Sequence, residues 1–200
     1  MILAAGCRPS FLGHEGFPNA SCLSLNDQVV HGIPDNRLLK VGDVLGIDAG
    51  LWLEHVVVDG AVTVPVENVS PDVQRLLNGT KQALRAGIKE AKVGAKVGRI
   101  SNAIQQVAEE HGFGIVRALV GHGVGHAVWE PPQVPNYGYP SDGPTLKAGQ
   151  VLAIEPMFTL GTGDILVEAD GWGIVSSDGS MSAQFEHTVI ITAQGPQIVT

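Results

Sequence analysis

Residues 46–60 have the sequence GIDAGLWLEHVVVDG, in which two apolar, β-branched runs flank a short polar connection. Such runs on either side of a tight turn are typical of a β-hairpin, and we expect its strands to cover 43–51 and 55–66. With the turn centred on Leu53 and Glu54, antiparallel pairing brings Asp48 opposite Asp59. Opposed side chains lie about 4.5–5.5 Å apart, where like charges repel, and burial among apolar neighbours adds a desolvation cost.

A divalent cation between these two carboxylates would remove both the repulsion and the desolvation cost. A turn displaced by one residue would instead direct one aspartate to solvent, where it needs no cation. The hairpin pattern by itself leaves these two arrangements equally open.

Outside the hairpin, the sequence predicts two helices and several more strands. Ser70 is a capping residue before Pro71 and begins a helix over 71–92, and a second helix covers 97–111. Residues 1–27 have no helical period and are expected to be extended chain and loops. Strands, then helices, then strands indicate an α+β fold with the helices on one sheet face. The remaining strands are predicted at 116–120, 150–157, 165–168 and 185–192.

Composition narrows the class of protein. The 200 residues are 44% hydrophobic and 16% charged, so the chain can bury a core and is not disordered. Twelve basic against 20 acidic residues leave a net charge of −8, which weighs against nucleic-acid binding. No apolar run approaches the roughly 20 residues of a membrane span, and two cysteines are too few for a disulfide framework. We therefore expect a cytoplasmic protein.

Three more potential ligands lie in apolar stretches of the chain: His122 in GHGVG, Glu155 in VLAIEPM and Glu186 in QFEHTVII. Taken singly, each is more often a satisfied buried group or a turn residue. Together with Asp48 and Asp59 they form a hard, oxygen-rich set that suits Mn, Fe(II), Co or Zn. Two dications would balance the four carboxylates, and metal pairs about 3.5–4 Å apart are a common device for hydrolysis.

Eight short motifs follow one another along the chain. They are FLGHEGFP (11–18), SLNDQVVHGIP (24–34), GIDAG (46–50), GHGVG (121–125), PQVPNY (132–137), AIEPM (153–157), DGW (170–172) and FEHT (185–188). From about residue 8 to the C-terminus, this ordered set resembles the type I methionine aminopeptidases of the creatinase-like, or pita-bread, family.

The resemblance implies one catalytic domain over 1–200, with pseudo-symmetric halves at about 1–67 and 68–200 and a curved antiparallel sheet carrying helices on its outer face. It implies removal of the initiator methionine from nascent proteins whose second residue is small, by a water that bridges two divalent metal cations. Nascent chains beginning with Met would be the partners of this monomer, with the ribosome as a further candidate and neither nucleic acid nor membrane.

The resemblance also assigns residues. The metal ligands would be Asp48, Asp59, His122, Glu155 and Glu186, with Asp59 and Glu186 shared by both ions and Glu155 also moving the proton. His31 would contact substrate, although a turn histidine is the simpler interpretation of that residue alone. Phe17, Cys22 and Trp172 would line an apolar pocket that suits a thioether, but each would serve equally well as core.

Two features depart from the family pattern near the substrate. The family has a second histidine seven residues after the ligand histidine, where this chain has Trp129. Indole donates one hydrogen bond and accepts none, and loss of one such donor costs about 10²–10³ in rate. We therefore expect reduced activity and a gain from Trp129→His, since His126 would lie on the opposite face of a strand. His14 and Glu15 replace the usual Tyr-His.

A third departure concerns the N-terminal half, where the family has a helical segment that covers the sheet and this chain begins near the first strand. Together with Trp129, this keeps open an alternative function, a weakened or inactive homologue that binds peptides or proteins. The complete set of five ligands favours the enzyme, because a binding module gains nothing from opposed buried carboxylates.

Overall fold

The computed structural model describes residues 2–200, which form two α-helices and seventeen short strands. The helices are α1 at Pro71–Glu90 and α2 at Val97–His111. The strands are β1 Arg8–Pro9, β2 Cys22–Leu25, β3 Gln28–Val30, β4 Val44–Asp48, β5 Leu51–Leu53, β6 Val56–Val58, β7 Ala61–Pro65, β8 Gly114–Ile115, β9 Val120–Gly123, β10 Glu130–Pro135, β11 Val151–Ile154, β12 Met157–Thr159, β13 Ile165–Val167, β14 Ile174–Ser176, β15 Ser182–Gln184, β16 His187–Thr192 and β17 Gly195–Ile198.

Both predicted helices form where the capping signals place them. The Ser70 hydroxyl accepts a hydrogen bond from the Val73 amide, and Pro71 occupies the first turn of α1, where its missing N–H costs nothing. Helix α2 ends at Gly112, whose left-handed backbone is favourable for glycine. The helices pack on each other, and α1 also packs on β11, β12 and β15 while α2 packs on β8 and β10. The α+β prediction is confirmed. Within residues 2–200, no helix is long and apolar enough to cross a membrane.

All paired strands are antiparallel. The largest sheet has the order β10-β9-β11-β16-β17, and four three-stranded sheets have the orders β1-β5-β6, β2-β4-β7, β13-β14-β3 and β15-β12-β8. On the β2-β4-β7 sheet, a row formed by Leu23, Ile47 and Val62 faces away from the buried Asp48 side and remains half-exposed or exposed. This part of the sheet therefore presents apolar side chains to solvent.

The hairpin forms, but the predicted register is wrong. Leu53 pairs with Val56 around a turn at Glu54 and His55, and Asp48 pairs with Ala61 rather than Asp59. Moving the centre of a turn by one residue moves the pairing by two, and a shift of two keeps every side chain on its face. Both aspartates consequently stay buried, and the alternative in which one of them reaches solvent is wrong.

Each predicted hairpin strand is also divided in two. The breaks fall at 49–50 and at 59–60, where the chain passes from the β2-β4-β7 sheet to the β1-β5-β6 sheet. Gly50 marks a close approach, since a Cβ there would lie 2.1 Å from Ser10 Oγ and 3.2 Å from Asp59 Oδ1. The two breaks let the hairpin bend from one sheet to the other next to Asp48 and Asp59.

Several strands were not predicted from the sequence, and others lie at positions different from those predicted. Strand β10 contains Pro131, Pro132 and Pro135, which hide its extended conformation. Strand β14 is only three residues long. The strand expected at 116–120 is replaced by β8 before that range and β9 at its end. Glycines in both of these strands weaken the apolar pattern on which such predictions depend.

Candidate metal centre

One cavity of about 520 Å³ is lined by all ten residues singled out from the sequence. These are Phe17, Cys22, His31, Asp48, Asp59, His122, Trp129, Glu155, Trp172 and Glu186. The cavity lies where several sheets meet, so residues far apart in sequence share one small volume.

Strand pairing in the largest sheet brings three of the five potential ligands together. Ala153 on β11 pairs with His122 on β9. Glu155, the first residue after β11, therefore lies close to that imidazole. Ile154 pairs with His187 on β16, which places Glu155 next to Glu186 at the same end of the two strands. Central strand β11 therefore aligns an imidazole and two carboxylates.

The hairpin supplies the two aspartates and is hydrogen-bonded to the same strands. Thr188 Oγ1 accepts a hydrogen bond from the Asp59 amide at 2.9 Å and donates one to the Asp59 carbonyl at 2.7 Å. The Glu186 amide donates to the Ala61 carbonyl at 2.9 Å. These bonds hold the backbone at Asp59 against β16, so the position of the Asp59 carboxylate depends on both the hairpin and β16.

Three of the side chains are close enough to share one ion. One ligand atom each from Asp59, His122 and Glu186 lies within 4.8 Å of the others. His122 Nδ1 is 2.8 Å from the carbonyl of Gly123, which leaves Nε2 directed at the Glu155 carboxylate, 3.6 Å away. Burial lowers the pKa of His122, so the ring is neutral at pH 7 and available as a ligand rather than as a partner in an ion pair.

Without a cation, burial favours the neutral form of all four carboxyl groups by raising their pKa values. Burial, followed by the charge of Asp59, raises the pKa of Glu155 to about 8. Burial raises the pKa of Asp59 to about 6 and, with the neighbouring carboxylates, raises the pKa values of Asp48 and Glu186 well above their ordinary values. Such shifts mark carboxylates that lack positive charge nearby.

The residues present fit divalent cations. Asp48 Oδ1 and Glu186 Oε1 are buried without a hydrogen-bond partner in the described part of the chain, which is costly for carboxylate oxygens unless an ion binds them. Four carboxylates and one neutral imidazole form a hard donor set. The free-energy cost of burying these groups together is therefore explained by metal binding.

The raised pKa values predict how stability depends on pH in the metal-free protein. Between pH 6.5 and 8.5 the folded chain holds more protons on Glu155, Asp48 and Glu186 than the unfolded chain does, because burial raises their pKa values, so the free energy of unfolding decreases as pH rises. In chelator we expect the melting temperature to fall by at least about 4 °C across this range.

Calorimetry in chelator, repeated with saturating Mn(II), would measure this effect. Bound cation should abolish the fall, because it stabilises the ionised carboxylates. A smaller fall is expected for Glu155→Gln in chelator, since one titrating group is gone. A melting temperature that stays level or rises with pH in chelator would contradict the argument. The window lies above the titration of His31 and His122, whose pKa values burial lowers.

The wall of the cavity beside the carboxylates is apolar. Phe17 and Trp172 meet edge to face with ring centroids 5.2 Å apart, and Cys22 is buried in the same cluster. Burial and the nearby carboxylates raise the pKa of the Cys22 thiol, which therefore stays uncharged and acts as a small apolar group. His31 also lines the cavity and has a φ of 59°, a conformation seldom adopted by a residue with a side chain.

One expectation about the second histidine position is corrected. Residues 124–129 form a loop between β9 and β10, so the argument that His126 lies on the opposite face of a strand from Trp129 does not apply. His126 is nevertheless exposed and does not line the cavity. Trp129 lines it and is 43% exposed, with its ring between those of His14 and His122 at centroid distances of 4.8 and 6.4 Å.

Sequence reasoning missed Gln184. Its amide nitrogen donates a hydrogen bond to Glu155 Oε2 at 3.0 Å and so fixes the orientation of that carboxylate. The spacing of two residues between Gln184 and Glu186 would have placed both on one face of a strand, but a lone glutamine in an apolar run gives no distinct signal.

Comparison with known proteins gives consistent results. The model of the metallopeptidase family M24 matches residues 2–193. Methionine aminopeptidase 1 of Bacillus subtilis is 47% identical over 199 residues, which cover 100% of this chain and 80% of that protein. The methionine aminopeptidase of Clostridium perfringens is 46% identical with the same coverage.

Solved structures of methionine aminopeptidases also resemble this chain closely. The crystal structure of methionine aminopeptidase from Thermotoga maritima superposes with a TM-score of 0.97 at 40% identity, covering 98% of this chain and 80% of that chain. The prolidase of Pyrococcus furiosus, at 22% identity and a TM-score of 0.72, covers 89% of this chain and 48% of that chain and shares the pita-bread fold alone. By sequence and by fold, the chain belongs to the metallopeptidase family M24 and, within it, to the methionine aminopeptidases.

Proposed function

We propose that this chain is a metal-dependent aminopeptidase that removes the N-terminal methionine from proteins whose second residue is small, with two divalent cations held by Asp48, Asp59, His122, Glu155 and Glu186. The observation that carries the proposal is the pairing of these buried ligands with an apolar wall in one cavity. Similarity to methionine aminopeptidases over the whole of this chain disfavours the binding-module alternative.

Cations at this site would supply Lewis-acid polarisation of the scissile carbonyl and an activated water at neutral pH. Asp59 and Glu186 are suited to contact both ions, since each carboxylate has two oxygens to share. Asp48 would complete one site, and His122 and Glu155 the other. The charge of four carboxylates favours two cations over one.

Glu155 is suited to move the proton. Gln184 holds one of its oxygens, and the other faces His122 Nε2. A carboxyl group whose pKa is raised towards neutrality can accept a proton from water and return it to the leaving amine. Its burial keeps bulk water away from that exchange.

The apolar wall would select the methionine side chain. Phe17 and Trp172 offer aromatic surfaces and Cys22 a soft sulfur, which suit a flexible thioether. His31, which lines the cavity in a strained backbone conformation, would contact the substrate backbone. We propose nascent chains in the cytoplasm as the substrates, a monomer as the working unit and the ribosome as a candidate partner.

Methionine release from a Met-Ala-Ser peptide tests the function. Purified protein reconstituted in turn with Mn(II), Co(II) and Fe(II) should release free methionine, measured by chromatography, and chelator should stop the release. Glu186→Gln should be inactive, which excludes a contaminating peptidase. If folded wild-type protein releases nothing with any of these metals, the proposed function is wrong.

A further inference from the structure

His14 lines the cavity, and backbone hydrogen bonds on both sides hold it in a tight turn. The backbone around it closes on itself, because the His14 amide donates to the Phe11 carbonyl and the Phe17 amide donates to the His14 carbonyl, both at 2.9 Å. Phe11 and Phe17, on either side, are both buried in one apolar cluster and line the cavity. The backbone position of His14 is therefore fixed before any substrate arrives.

The side chain of His14 is also fixed, but one of its polar atoms is not used. Its ring meets the edge of Trp129 at a centroid distance of 4.8 Å and an interplanar angle of 68°, a favourable aromatic geometry. Its Nε2 is buried and has no hydrogen-bond partner among residues 2–200. A buried polar nitrogen without a partner is unfavourable unless a ligand supplies one.

Three such atoms belong to residues that line the cavity. They are Asp48 Oδ1, Glu186 Oε1 and His14 Nε2. The first two are explained by the proposed cations. The third is not, because His14 is neither in the group formed by Asp59, His122 and Glu186 nor among the five residues proposed to hold the cations.

The substrate offers the remaining polar groups. In the proposed function, the methionine side chain of an N-terminal peptide would contact the apolar wall, and its amine and scissile carbonyl would lie beside the residues proposed to hold the cations. The backbone amide and carbonyl beyond the scissile bond lose water on entering the cavity and need partners. A role for these substrate groups rests on the proposed function, the removal of N-terminal methionine by this chain.

We infer that His14 is a substrate-binding residue whose Nε2 hydrogen-bonds the peptide backbone of the substrate, and that Trp129 is a positioning residue that holds the imidazole for this bond. The cavity thus has a second imidazole although the usual histidine position carries Trp129. On this arrangement Trp129→His does not raise the rate, contrary to the expectation from sequence, because it removes the ring against which His14 rests.

Steady-state kinetics on Met-Ala-Ser, with metal content measured for each variant, test the inference. His14→Phe keeps the ring and its contact but removes both nitrogens, and it should lower kcat/KM about tenfold, the effect of one lost hydrogen bond. His14→Gln, whose amide reaches about as far as Nε2, should stay within about threefold of wild type, whereas the shorter His14→Asn should resemble His14→Phe. All variants should keep the wild-type metal content.

A double-mutant cycle tests the part played by Trp129. Trp129→Ala should lower kcat/KM in the wild-type background and have no further effect in His14→Phe, since the two residues act as one unit. Additive losses would overturn the positioning role, and so would a rate increase in Trp129→His.

The other outcomes are equally decisive. Wild-type kinetics in His14→Phe, or metal loss in that variant, would overturn the substrate contact. If His14→Phe does not fold, the comparison of His14→Gln with His14→Asn decides, and equal activity of those two overturns the inference. Failure of the proposed function looks different, because wild-type protein itself would then release no methionine.

Discussion

Asp59→Asn is expected to lower the bound divalent metal below two ions per chain and to reduce methionine release by more than about 100-fold, since even residues behind metal ligands cost about 10–100-fold when changed. The asparagine side chain would retain one oxygen but lose the charge that offsets the cations. Metal content measured by mass spectrometry and release from Met-Ala-Ser would give the two results on one sample.

Stability separates this effect from simple misfolding. In chelator, Asp59→Asn should melt at or above the wild-type temperature, because a buried carboxyl with a raised pKa is removed. In Mn(II), wild type should gain more stability than Asp59→Asn, because it binds more of the metal. Asp72→Asn is a suitable control, since that side chain is 75% exposed on α1 and does not line the cavity. Two metals per chain retained in Asp59→Asn would contradict the assigned role.

Glu155→Gln is expected to lower kcat for methionine release by about 10²–10⁴-fold, the usual contribution of a general acid–base group. The amide keeps the shape of the side chain and one oxygen, but it can neither accept nor return a proton near pH 7. Initial rates should be measured at saturating peptide and saturating Mn(II), so that weaker metal binding does not account for the loss.

Glu130→Gln is the matched control for that experiment. Glu130 lines the same cavity, but it is not among the five proposed ligands and its side chain is more exposed than that of Glu155. Its replacement should change kcat by less than about threefold, because a partly exposed charge contributes little. Equal losses in both variants would show that Glu155 acts only through the general charge of the cavity.

Local signals in the sequence predict the helices and the hairpin well. Ser70 and Pro71 define the start of α1, and Gly112 ends α2 through its left-handed backbone. The register of the hairpin depends on one turn residue, Glu54, whose φ of 53° has no marker in the sequence. Because the error in register was an even number of residues, the burial of both aspartates survived it.

How the residues of the site come together is harder to predict from the sequence. Apolar surroundings indicate that Glu155 and Glu186 are buried, but only strand pairing shows that they meet. Gln184 and the orphan nitrogen of His14 could not be predicted, since their roles depend on contacts between distant segments. The family pattern marks Trp129 as a substitution, but the contact between its ring and that of His14 is known only from the three-dimensional structure.

The order of the ligands along the chain has a consequence for folding. A cation held by Asp59, His122 and Glu186 closes two loops of about 60 residues each, and both helices lie inside the first. Such an ion acts as a reversible cross-link between the early hairpin and the late strands, and it stabilises the folded chain in proportion to the logarithm of its free concentration. When metal is scarce, proteases would meet more of the opened chain, so the supply of metal would govern the amount of enzyme as well as its rate.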